Sequence, residues 1–214
     1  MPFNEPTSTG SASFMDGERI VPNAKTSVWV KGDKQPYDTR RPLLLTDMIT
    51  AWETWEDQRP SYFPRDFGLS VETDRAHFGN TDETQWPEDK YGKRPDPYTL
   101  VRLVYATDPQ SLETFTLILR TGSGHQAAEN LRGQINRMHT RYPDALLLVE
   151  LGWGTFKSKK YGLIPKPTFK IVGWQADPLA LQQSLTAEQP KQVTGPRSYE
   201  EPTVAQELDD EIPF

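Results

Sequence analysis

Cysteine is absent from the 214 residues, so disulfides, thiolate nucleophiles and cysteine-ligated metal sites are excluded. Histidine is scarce. His77, His125 and His139 are the only three, and their separation fits no metal-ligand spacing. No stretch approaches the roughly 20 apolar residues of a membrane-spanning helix, and no membrane partner is expected. The opening Met1-Pro2-Phe3-Asn4-Glu5 lacks the basic region and apolar core of a secretory signal. A cytoplasmic chain in a reducing compartment is the expectation. Hydrophobic residues amount to only 35 %, so part of the chain should stay outside any packed core. The length suits one domain with appendages rather than two full domains.

Acidic residues outnumber basic ones, 30 to 24, which at first argues against a polyanion as partner. The excess is local. From Asp177 onward there are eight acids and two bases, a net of −6, which leaves the first 176 residues neutral. Within these, Arg120 to Lys170 holds nine Lys and Arg against Glu129, Asp144 and Glu150, a net of +6. A basic stretch followed by an acidic tail is the charge pattern of a phosphate-binding surface with a detachable counter-charge.

Residues 1–20 read as a flexible arm of Pro, Thr, Ser and Gly, and residues 177–214 as a disordered acidic tail. Between them, 21–176 should form the folded domain. Alternation predicts strands at Thr26–Lys31, Tyr98–Thr107 and Glu113–Arg120, the last two joined by a loop at Asp108-Pro109-Gln110-Ser111. Arg41–Trp52 fits either a strand or a strand running into a short helix. Asp66–Arg94 is polar and turn-rich, with a short strand at Leu69–Glu72. Ala128, Leu131, Ile135 and Met138 have helical spacing and predict a helix over His125–Tyr142, ended by Pro143. Strands follow at Ala145–Leu151 and Thr168–Trp174. Three strands, a helix and two strands is the order of an OB-fold barrel. With Thr26–Lys31 as the first strand, the fold class is mainly β with one principal helix, an OB-fold-like β-barrel with a long insertion after that strand. A different open barrel with one helix is the alternative.

Trp153 to Pro167 alternates aromatics with lysines and lies where an OB-fold places a nucleic-acid-binding loop, between its last two strands. Lysines neutralise phosphates, and flat rings stack on bases without reading sequence. Trp153, Phe156, Lys157, Lys159, Lys160, Tyr161, Lys166 and Lys170 are therefore the candidate nucleic-acid contacts. Trp29 and Trp174 read as packing residues, and Arg132, Arg137 and Arg141 as a solvated helix face. Gly122-Ser123-Gly124 reads as a strand-to-helix turn, since no Gly-Lys-Ser/Thr follows to make a phosphate loop. Catalytic signals are poor. Asp144 and Glu150 lack the lysine that would complete a nuclease pattern, so no enzyme, cofactor or metal is expected.

The tail ends in Asp209-Asp210-Glu211-Ile212-Pro213-Phe214. Solubility alone gives no use for three apolar residues at an acidic tip. This tip closely resembles the C-terminal peptide of bacterial single-stranded DNA-binding proteins, usually Asp-Asp-Asp-Ile-Pro-Phe, with Glu211 the one departure. The resemblance covers six residues. It implies that Asp209, Asp210, Glu211, Ile212, Pro213 and Phe214 dock onto replication, recombination and repair proteins, the ring entering an apolar pocket and basic residues holding the carboxylates. The remaining chain does not resemble that family's compact N-terminal domain. It is more similar to divergent phage or mobile-element single-stranded DNA-binding proteins with acidic, Phe-terminated tails, which implies a bacterial host cytoplasm. The expected partners are single-stranded DNA and proteins that recognise the tip. The rival reading is an interaction protein that borrows such a tip to occupy host repair enzymes without binding DNA. A homodimer would lengthen one barrel's binding track, although nothing in the residues encodes it.

Overall fold

The computed structural model describes residues 17–32, 34–56, 59–140, 145–160 and 162–176. Tyr161 and the tip 209–214 lie outside them. One sheet of eight strands carries the molecule: β1 (Glu18–Asn23), β2 (Val28–Lys31), β3 (Leu43–Glu56), β4 (Arg59–Pro64), β5 (Thr99–Thr107), β6 (Thr114–Leu119), β7 (Ala145–Ser158) and β8 (Gly162–Ala176). Their order across the sheet is β2-β1-β6-β5-β3-β7-β8, with β4 paired to β3. The β1–β6 pair is parallel and all others are antiparallel. The sheet curls into a half-barrel around one main helix, α2 (Gly122–His139), an arrangement consistent with an OB-like barrel.

β3 organises the curl. Its 14 residues pair with β5 along most of their length, while Leu43–Leu45 also pair with β7 on the other side. A bulge between Leu45 and Asp47 adds one residue to β3. The extra residue shifts the alternation by one, so Leu43, Leu45 and Met48 all meet the same core, and it sharpens the local twist. That core lies between the sheet and α2. Ala128, Leu131 and Ile135 from the helix meet Val104, Leu117, Leu119, Val149 and Leu151. A second cluster, Ile49, Ala51, Tyr62, Val101, Leu103 and Ile118, occupies the opposite face of β3, β5 and β6.

α2 begins where Thr121 accepts a hydrogen bond from the Gly124 amide, so Gly122-Ser123-Gly124 form the helix's first turn. Residues 59–98 contain β4, the helix α1 (Val71–Ala76) and a 3-10 turn at Glu83–Gln85. α1 replaces the strand expected at Leu69–Glu72. Ser70 caps it by accepting from the Thr73 amide, and Glu72 and Asp74 complement the amides of its first turn. Asp74 then receives the Trp52 indole N–H at 2.5 Å, and Arg75 pairs with Asp96 at 2.6 Å. Phe78 stacks on Tyr98 and abuts Phe63 and Trp52, anchoring this region onto β3 and β4.

Two further expectations change. The arm was expected to reach residue 20, yet Glu18–Ile20 already pair with β6 and Ile20 is fully buried. Thr26–Lys31 forms a strand only from Val28, and that strand pairs with β1 rather than serving as the barrel's first. With β4 set aside as a strand that pairs only with β3, the order of three strands, helix and two strands is met by β3, β5, β6, α2, β7 and β8. Among the described residues no helix is long and apolar enough to cross a membrane.

Candidate nucleic-acid interface

The lysine-aromatic segment is not the loop that the sequence suggested. β7 and β8 run on into it as a ribbon, paired from Ala145↔Ala176 to Ser158↔Gly162. Directly opposed residues share a face. One face therefore holds Glu150 with Lys170, Gly152 with Thr168, Gly154 with Lys166, and Phe156 with Ile164. The other holds Leu151 with Phe169, Trp153 with Pro167, and Lys157 with Leu163.

This register sorts the candidate residues. Trp153 packs on the core, its ring 6.1 Å from the buried Trp29, so its indole contributes mainly to packing. Phe156 is the exposed ring of the described ribbon, 38 % accessible. Lys157 and Lys159 are exposed near the tip, with Lys160 beside them. Lys166 is half-buried, and its aliphatic stem lies over Gly154. A Cβ at Gly154 would sit 3.6 Å from Lys166 Cε and 3.1 Å from Thr168 Cγ2, so a larger residue would crowd the track. Lys170 is tied to Glu150 at 2.8 Å, which compensates its charge. Glu150 therefore serves as a lysine partner, and among the described residues no group of three or more His, Asp or Glu is arranged to hold a metal.

The second core face carries a constellation that sequence reasoning missed. Glu53, 2 % exposed, accepts two hydrogen bonds from Arg120, each 2.5 Å, and a third from the Tyr62 hydroxyl at 3.0 Å. Burial, then the Glu53 charge, pushes the Tyr62 hydroxyl up to about 12, so it stays a donor. The Arg120 guanidinium lies 6.0 Å from the ring of Trp55, which is 52 % exposed. Two more exposed rings carry cations, Phe67 with Arg65 at 4.5 Å and Tyr91 with Lys90 at 5.0 Å. An exposed ring beside a cation is the local unit of base stacking and phosphate neutralisation. The only sequence signal was scattered aromatics in a polar stretch, with no spacing to join them.

α2 meets β8 across a cavity of about 410 Å³, whose walls include Gln126, Asn130, Gln134, Phe156 and Lys166. No family model, curated protein or solved structure matches the chain.

Proposed function

We propose that this protein binds single-stranded DNA without sequence specificity, in replication, recombination or repair, and recruits partner enzymes through Asp209–Phe214. The observation that carries the reading is the β7–β8 ribbon. Its outer half presents Phe156, Lys157, Lys159, Lys160 and Lys166 with no carboxylate beyond Glu150 at its base. Lysines along a backbone track and an exposed ring are what a flexible polyanion with stackable bases requires. The finer fold reading supports it. Read as an OB barrel with β4 added to β3, the elements β3, β5, β6, α2, β7 and β8 would make 65–98 part of the first inter-strand connection and the ribbon tip the last, the two connections that bind oligonucleotides in such barrels. Trp55 and Arg120 form a separate ring-and-cation pair at the far end of β3, beside the first of these connections.

The test is binding of the full chain to poly-dT across a salt series. Strong binding that falls steeply with salt supports the reading. Absence of binding at low salt overturns it and leaves the tip-mimic alternative.

A further inference from the structure

We infer that the groove between α2 and the β7–β8 ribbon seats one unpaired nucleobase and adds a modest base preference to binding that is otherwise sequence-tolerant. This rests on the single-strand-binding reading. Gln126, Asn130 and Gln134 stand four residues apart on α2 and form one stripe of carboxamides. Gln126 Nε2 donates to Asn130 Oδ1 at 3.1 Å, and each amide keeps further donors and acceptors. The charged residues of the helix lie elsewhere, with Glu129 held between Arg102 at 2.5 Å and Arg132 at 2.7 Å. The ribbon's exposed Phe156 and half-buried Lys166 line the same groove, as do the apolar Leu131 and Phe169.

This is a site for a flat ligand with apolar faces, a hydrogen-bonding rim and one negative charge. A nucleotide unit has that chemistry. Its base would stack on Phe156, turn its edge to the amides and leave its phosphate near Lys166. The cavity's size falls in the range of about 300–1,000 Å³ for small-ligand sites. Charge decides against the chain's own acidic tip as occupant. Asp209, Asp210 and Glu211 would bring three carboxylates to a groove whose lining offers one cation, Lys166. Sequence-tolerant stacking needs no amides at all, so their uninterrupted row points to readout of a base edge.

The experiment compares oligo-dT, oligo-dC and oligo-dA binding by the full chain, with 5-iodouracil-containing oligomers to map contacts by photo-crosslinking. Crosslinks should fall on Phe156 or its groove neighbours. Phe156→Ala should weaken all three complexes by about 5- to 150-fold, the range for one stacked base. The double variant Gln126→Ala/Gln134→Ala should instead equalise the homopolymers, erasing a preference of about 3- to 10-fold, the worth of one net hydrogen bond. These helix positions lie outside the buried core, and unchanged circular dichroism will confirm folding. If DNA binds but crosslinks map elsewhere and both variants behave as wild type, the groove is not a base site, although the single-strand-binding reading survives. If a photoreactive Asp209–Phe214 peptide labels the groove and the oligomers do not, its occupant is the tail. If no homopolymer binds, both readings fail together.

Discussion

Glu53 shows how one residue sets the chemistry of a whole face. A carboxylate this buried is tolerated because Arg120 and Tyr62 supply three hydrogen bonds between them. Removing the cation alone leaves the charge stranded. Arg120→Ala should therefore cost about 3 kcal/mol in urea denaturation, the lower end for breaking a buried pair, because Arg120 itself reaches solvent. His125 gives a pH signature at the same scale. Burial first, and the Arg102 charge second, hold it below its ordinary value of 6.5. The folded state thus prefers the neutral imidazole. Its stabilisation is present above pH 6.5 and is lost as pH falls through the depressed folded value. Thermal melts should show a drop in wild-type stability over that interval that His125→Gln lacks.

At the scale of elements, legibility followed periodicity and composition. α2 was evident from Ala128, Leu131 and Ile135, which form one buried stripe, and β5 and β6 from their β-branched and aromatic content, although both strands are buried on two faces. β3 was ambiguous because Leu43, Leu44 and Leu45 are all buried and the bulge then shifts the parity, so neither period fits its whole length. The ribbon looked like a loop because Gly, Pro and Lys dominate its outer half. Those residues suit a β8 that pairs only with β7 among the described residues, since Pro165 and Pro167 have no N–H to offer on its open side. Its candidate contact residues were legible by composition, whereas the Trp55–Arg120 pair and the amide stripe were not. They meet only once the sheet curls or the helix docks. The combined change Lys157→Ala/Lys159→Ala/Lys160→Ala should reduce the slope of log affinity against log salt by about 2, at about 0.7 per phosphate contact. An unchanged slope would move the phosphate track to the Trp55–Arg120 face.

For the whole molecule, charge separation along the chain should have a measurable effect if the protein binds single-stranded DNA as proposed. The net −6 from Asp177 onward can compete with phosphates for the +6 stretch Arg120–Lys170. Deleting Asp209–Phe214 should tighten single-stranded DNA binding at low salt, and the gain should vanish at high salt. Phe214→Ala keeps every side-chain charge, so it should leave DNA affinity unchanged while abolishing capture of tip-binding enzymes. Tightening by both variants alike would show that the ring, not the carboxylates, does the competing.

The curled sheet ends at β2 on one side and β8 on the other, with no ladder between them among the described residues. Trp29 spans the seam, donating its indole N–H to the Gly152 carbonyl at 3.2 Å and resting against Trp153 and Phe169. Parting this seam would break the indole's hydrogen bond and its ring contacts but, among the described residues, no strand pair. The same indole is a built-in optical gauge, because parting the seam would admit water to a fully buried fluorophore and shift its emission to the red.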